Sequence, residues 1–231
     1  MIESMLIQAS SFADDIDFVI NLIAVIVGFW FLVAEGVFFW FLFRYRKARS
    51  PKAQYITGEE KHQTKWISYP HFAVILCDIV IVVGAIMVWV HVKQDLPPAD
   101  AEVRIIGQQW AWTFVHEGPD GKLGTEDDIQ TADELHVQAG KTYHYYLEAT
   151  DVLHSFSVPV FRLKQDAIPG RIITGWFEPT KTGEFDLQCA EMCGIGHGVM
   201  RARIHIETAE QHAAWMQSRS NDAIALAPKT R

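Results

Sequence analysis

The chain has 231 residues, is 49% hydrophobic and carries a formal net charge of −8, which allows one or two domains and a buried core with apolar residues left over. Residues 95–231 hold 20 Asp and Glu against 12 Lys and Arg, while residues 1–94 hold 8 of each, so the acidic half argues against nucleic acid as a partner and favours a cationic protein. Three cysteines, two of them four positions apart, do not make the disulfide framework of a small secreted domain.

No Lys or Arg precedes the first apolar run, so Met1-Ile2-Glu3-Ser4 does not read as a signal peptide and an anchor is sought in the chain itself. Phe18 to Phe43 is 26 residues with one ionisable group, long enough at about 1.5 Å per residue to cross a hydrocarbon core of roughly 30 Å. His71 to Val92 is a second such run with one internal acid, flanked by Trp66, Tyr69 and Trp89 where interfacial aromatics are expected. Together they predict a transmembrane hairpin over 18–92, preceded by a tail at 1–17. The connecting loop 44–65 carries Arg44, Arg46, Lys47, Arg49, Lys52, Lys61 and Lys65 against Glu59 and Glu60, which puts the loop in the cytoplasm and both termini on the other side.

Beyond Leu96-Pro97-Pro98 the pattern shortens to alternating segments: Glu102 to Ile106, Trp110 to Val115, Glu134 to Val137, Thr142 to Leu147, Ile172 to Phe177, Glu184 to Leu187 and Met200 to Ile206. Turn residues separate them, which predicts an antiparallel sandwich or barrel over 95–208. A short amphipathic helix from Ala209 to Met216 is expected to close it, within a C-terminal segment 209–231.

The densest chemistry lies between Cys189 and Met200. Two thiols, an imidazole and a thioether share twelve positions, with Gly194, Gly196 and Gly198 among them. Thiolate with thioether favours copper over harder ions. A disulfide would leave His197 and Met200 without a role, and a Cys2His2 zinc site has no use for the thioether. Two thiolates able to bridge allow two copper ions, each wanting one nitrogen ligand; a second histidine must come from elsewhere, and His154 is the best candidate.

The loop and the segment Asp151-Val152-Leu153-His154-Ser155-Phe156 together resemble cytochrome c oxidase subunit II of the haem-copper oxidases. The likeness extends from the hairpin through Gly107-Gln108-Gln109-Trp110-Ala111-Trp112 and Lys164 to Arg171. It implies a two-helix transmembrane hairpin followed by an all-β, cupredoxin-like Greek-key barrel or sandwich. It also implies that Cys189 and Cys193 bridge two copper ions (a CuA centre), that His154 and His197 bind one each, that Met200 is a weak ligand, and that Glu191 contributes its backbone carbonyl. In that family the first Trp of the pair receives the electron from cytochrome c, which makes Trp110 the point of arrival and Trp112 structural; without the resemblance, a Trp in such a sandwich would be read as core.

By the same resemblance the Glu191 carboxylate serves a magnesium or manganese ion shared with subunit I, where otherwise it would be a solvated loop acid, and Lys164, Asp166 and Arg171 face subunit I. The implied function is to take electrons from cytochrome c, or from a cytochrome domain of a partner complex, and to pass them to haem in subunit I, where oxygen is reduced to water and protons are translocated. Subunit III and the lipid bilayer are further expected partners, in a bacterial-type or organellar inner membrane. No Cys-x-x-Cys-His is present, so no haem is expected on this chain. A quinol oxidase subunit would lack the copper ligands, and a copper-delivery protein would need neither the Trp110 strand nor the Lys164 to Arg171 segment.

One position departs from the family. Many members carry a Glu three residues before the Trp that opens the second helix, where this chain has Gln63. Glu35 and Asp78 are acids within the membrane runs, and a buried acid is costly without a partner or water. Counted from Arg44 and Pro70 at about 1.5 Å per residue, they are expected at similar depth, facing each other or subunit I, with at least one aiding proton uptake; hydrogen bonding to neighbouring helices is the plainer role. Asp120 to Asp128 has the acid density of a calcium loop without its spacing, and reads rather as a solvated hairpin. Cys77 is expected to pack within its helix, His205 to lie on the surface, and His71 and His91 to mark helix ends.

Overall fold

The structure, a computed structural model, describes residues 6–49, 52 and 57–226, with side chains described as far as residue 219. These residues form two units, one made of 15–91 and the other of the N-terminal residues to Asp14 together with Val92 onward.

The first unit is helical. Helix α1 (Ala13–Arg44) and helix α2 (Lys61–Trp89) are each long and apolar enough to cross a membrane, and α2 runs on into a π turn at Val90–Gln94. Most of their large apolar side chains are exposed, among them Phe31, Phe38, Trp40, Ile75 and Val82, which suits a surface turned toward lipid tails or other apolar helices. Helix α2 begins ten residues before the apolar run at His71, so 61–65 are helical rather than part of a loop. Its N-cap is Glu60, whose carboxylate accepts a hydrogen bond from the Gln63 amide at 3.3 Å. An acid therefore stands beside the position where the family acid is missing.

Two contacts fix the pairing of the helices. The Trp30 indole donates to Cys77 Sγ at 3.4 Å, and a Cβ added to Gly84 would lie 3.5 Å from Leu22. Extending that antiparallel register sets Glu35 opposite about residue 72 and Asp78 opposite about residue 29, so the two acids differ in depth by roughly six residues, about 9 Å. The expectation that they face each other at one level is corrected. It failed because α1 and α2 are not flush at Arg44 and Pro70: Pro70 lies inside α2, nine residues past its start.

The second unit holds ten strands: β1 (Ala101–Gln108), β2 (Ala111–His116), β3 (Ile129–Ala132), β4 (Glu134–Gln138), β5 (Tyr143–Ala149), β6 (His154–Val158), β7 (Leu163–Ala167), β8 (Ile173–Phe177), β9 (Gly183–Cys189) and β10 (Arg201–Glu207). They make two five-stranded sheets, ordered β3-β2-β1-β5-β8 and β4-β10-β9-β6-β7. Alternation drives the layering. Val103 and Ile105, Trp112 and Phe114, Tyr145 and Leu147, and Ile204 and Ile206 are all buried, with more exposed residues between them. Most pairs are antiparallel as expected, but β1 pairs with β5 and β10 with β4 in parallel, as crossovers between the two sheets require.

Three strands lie outside the seven segments read from the sequence. In β6 all five residues are buried, so no polar beat marks it; β7 carries Lys164, Gln165 and Asp166; and β3 is only four residues long. The N-terminal residues are also more than a tail. Ser10 bridges Pro179, Ala9 N–H bonds to the Val160 carbonyl at 2.8 Å, and Phe12 sits edge-on to Trp176. The β2–β3 connection closes on itself through Asp127, whose carboxylate accepts from the Thr125 hydroxyl at 2.6 Å and the Asp120 N–H at 3.0 Å.

Helix α3 (Ala209–Leu226) is longer than the expected Ala209 to Met216 and lays Trp215 against a group of histidines. His116 is buried there: its Nε2 accepts the His136 N–H at 3.2 Å and its Nδ1 faces the Ile129 carbonyl at 3.2 Å. Those partners want the neutral ring with its proton on Nδ1, and burial pushes the His116 pKa down to about 3. An unfolded His116 would take up a proton near pH 6.5. The stability this residue contributes is thus complete above that pH and is lost as pH falls from there through about 3. The denaturant midpoint of the β unit, followed by Trp fluorescence on the full chain in detergent, is expected to fall between pH 7 and pH 4; a His116→Gln chain starts lower but falls less steeply.

Candidate metal centre

The second sheet brings the soft ligands together. Strand β9 ends at Cys189, and the chain loops through a single 3-10 turn at His197–Val199 before β10 begins at Arg201. A bond from the Cys189 N–H to the Met200 carbonyl at 3.0 Å closes the loop at its base, and the Ala190 N–H reaches the Ser155 carbonyl at 2.9 Å. Strand β6 pairs antiparallel with β9 through Phe156 and Cys189, which carries His154 beside the sulfurs from 35 residues away in sequence.

Cys189, Cys193, Met200 and His154 are all buried. The two sulfurs are 3.7 Å apart and both cysteines are free thiols. Cys189 Sγ lies 3.9 Å from His154 Nδ1 and 3.2 Å from the Glu191 carbonyl oxygen. Cys193 Sγ lies 3.7 Å from both His197 Nδ1 and Met200 Sδ. A tetrahedral ion with metal–sulfur bonds of about 2.3 Å and metal–nitrogen bonds of about 2.0 Å sets its donors roughly 3.5–3.8 Å apart, so these residues fit a metal. Two thiolates, two imidazoles, a thioether and one carbonyl exceed what one tetrahedral ion takes, and the softness of the set suits copper. Burial, reinforced by the Cys189 sulfur alongside, pushes the Cys193 thiol up to about 11, so metal must displace a proton there.

Two residues that sequence reasoning passed over hold this arrangement. His154 Nε2 lies 2.8 Å from the Asp151 carboxylate, which orients the ring so that Nδ1 faces Cys189, the usual carboxylate support of a ligating imidazole. The carboxylate also accepts from the Gln109 and Val152 N–H groups at 2.7 and 2.6 Å. Against the cost of desolvation, these bonds keep Asp151 below the ordinary carboxylate range. An acid three residues before the histidine was the available signal. Gln109 offered none: its side-chain amide donates to the Cys193 carbonyl at 2.8 Å.

Trp110 donates to that same carbonyl at 3.2 Å and remains 38% exposed, whereas Trp112 is fully buried, edge-on to His154 and Phe156. The loop glycines divide the work unequally. Gly194 has φ of 118°, in the region glycine alone enters readily, while a Cβ on Gly196 would come within 2.3 Å of the Trp110 ring. Gly198 meets neither demand. Lys164 and Asp166 lie on β7, the edge strand next to β6, with His154 registered against Ala167, and Arg171 is exposed after the turn at Gly170. Glu191 is half-buried in the loop; Glu35 and Asp78 belong to the helical unit. Replacing Asp151 by Ala is expected to weaken copper retention by about 10–100-fold, measured by chelator competition on the full chain, with Asp151→Asn in between.

A family model described as the periplasmic domain of cytochrome c oxidase subunit II matches residues 101–208. The chain is 32% identical over 230 residues to the alternative cytochrome c oxidase subunit 2 of Bradyrhizobium diazoefficiens, across 90% of this chain and 81% of that one. It is 28% identical over 243 residues to cytochrome c oxidase subunit 2 of Cereibacter sphaeroides, across 91% of this chain and 78% of that one. The crystal structure of the periplasmic domain of subunit II of cytochrome oxidase from Bradyrhizobium japonicum resembles it with a TM-score of 0.50 at 29% identity, covering 55% of this chain and 99% of that one. With two apolar helices ahead of a cupredoxin-like β domain, the chain belongs to the cytochrome c oxidase subunit II family and is a membrane-anchored component of an oxidoreductase.

Proposed function

We propose that this chain receives electrons from cytochrome c, or from a c-type cytochrome domain, at a dinuclear copper centre and delivers them to subunit I. The observation that carries this reading is the set of six donors gathered within 3.2–3.9 Å steps around two thiols. Two copper ions held there would supply a one-electron relay between an outside donor and the haem of subunit I, where oxygen is reduced. Cys189 and Cys193 would hold the ions between them, with His154, His197, Met200 as a weak ligand, and the Glu191 carbonyl completing the set.

The protein's own groups set the path. Trp110 is exposed on one side and hydrogen-bonded to the Cys193 carbonyl on the other, so its indole links the surface to the ligand loop through one short contact. Met192, Ile195 and Val199 leave an exposed apolar rim nearby, and the acidic domain around it attracts a cationic donor. On the far side of His154, β7 presents Lys164 and Asp166 along an open edge, which supports an interface with subunit I that includes Arg171. A magnesium or manganese ion at the Glu191 carboxylate and contact with subunit III complete the assembly.

The reading includes a multi-pass topology with both termini and the copper domain outside the cytoplasm. The cationic loop between α1 and α2 supports it, as does the packing of Ala9 and Phe12 within the same unit as the strands. For the main proposal, the full chain loaded with copper in detergent is expected to turn purple, with one unpaired electron shared equally by two copper nuclei; one copper per chain or a colourless product would overturn it. Trp110→Phe should keep that signal and slow reduction by cytochrome c.

Proton uptake is assigned to Glu35 or Asp78, each acting separately given their difference in depth. In the assembled oxidase, Glu35→Gln or Asp78→Asn is expected to lower steady-state turnover, and rates near wild type in both would remove the proposal.

A further inference from the structure

The second sheet carries another constellation of metal-binding groups, which the copper centre does not use. His136 on β4 and His205 on β10 are direct partners across the parallel ladder, and their rings stack at 4.4 Å with 9° between planes. His205 is five residues along β10 from Met200, about 16 Å at roughly 3.3 Å per residue. His205 is partly exposed, with 19% of its side chain at the surface.

Each ring has a carboxylate near its Nδ1, close at His136 and looser at His205. His136, 9% exposed, sets its Nδ1 2.8 Å from Glu207, whose other carboxylate oxygen is 2.8 Å from His212 Nδ1. His205 sets its Nδ1 3.5 Å from Glu184. A carboxylate facing Nδ1 holds the proton on that nitrogen and leaves Nε2 as a bare lone pair. In both residues Nε2 is buried and has no hydrogen-bond partner among the described residues. Buried polar atoms of this kind are rare, and each calls for a partner. The half-exposed Glu134 carboxylate lies 3.9 Å from His136 Nε2, and one ligand atom from each of Glu134, His136 and His205 lies within 4.8 Å of the others.

We propose that His136, His205 and Glu134 bind a divalent transition ion of the zinc class, with Glu207 and Glu184 as the carboxylates that orient the two imidazoles. Two imidazoles and one carboxylate, with no thiolate, form a donor set suited to zinc and unlike the soft set at the cysteine loop. Metal–ligand bonds of about 2.0–2.1 Å would draw the donors to roughly 3.4 Å from one another, which requires the two stacked rings to turn out of parallel as well as the half-exposed Glu134 to swing in. Glu184 and His205 line a surface cleft beside the site. The bound ion ties β4 to β10 and, through Glu207 and His212, to α3.

The test uses the full chain in detergent, copper-loaded and washed with chelator, titrated with zinc alone. One zinc per chain beyond the copper is expected, with a higher unfolding midpoint and an unchanged copper spectrum. The double variant His205→Asn, Glu134→Gln, which spares the buried His136, should abolish binding, and Glu184→Gln should weaken it by about 10–100-fold. Absence of zinc binding, equal uptake by wild type and the double variant, or zinc uptake that removes the copper signal would each overturn the proposal.

Discussion

The short antiparallel pairing of β6 with β9 is the constraint on which the centre depends. It joins Phe156 to Cys189 and, with the Ala190 to Ser155 bond, holds a histidine on one strand against a cysteine at the end of another. Backbone bonds in a sheet interior tolerate little slippage, because a shift of one residue turns every side chain to the opposite face. A slip in β6 would exchange His154 for Ser155 or Leu153, neither able to replace an imidazole. The burial of all five β6 residues guards against that, since every one has a packed environment to lose.

Around this pairing the loop is tied from several directions. The Cys193 carbonyl accepts from both the Gln109 amide and the Trp110 indole, so β1 and β2, which belong to the other sheet, help hold the cysteine loop. Gly196 lets that indole lie flat on the loop. The residue that exposes an aromatic ring to solvent is thus also one that fixes the ligand loop. Preorganisation of this kind limits rearrangement as charge arrives and leaves.

The same sheet gathers two kinds of donor group at separate levels. At one end thiols and a thioether are buried among aromatic side chains, and at the other imidazoles are backed by carboxylates and by Trp215. Two buried imidazole nitrogens without hydrogen-bond partners among the described residues stand out beside His116 and His154, which are paired through both ring nitrogens or face a thiol.

Hydropathy by itself marked the two helices that are long and apolar enough to cross a membrane. The spacing of Cys189, Cys193, His197 and Met200 announced a soft-metal site, since all four lie on one short loop. Alternation found seven of the ten strands. It missed β6, which is buried throughout, and the polar β7 and four-residue β3, whose strand character comes from their neighbours. The difference in depth between Glu35 and Asp78 depended on how two helices slide against each other, which Trp30 on Cys77 and Leu22 on Gly84 decide. Likewise Asp151 behind His154, Gln109 on the Cys193 carbonyl and the stacking of His136 on His205 exist only once distant strands have paired. Local pattern carries which residues can bind or bury; the sheets decide which of them meet.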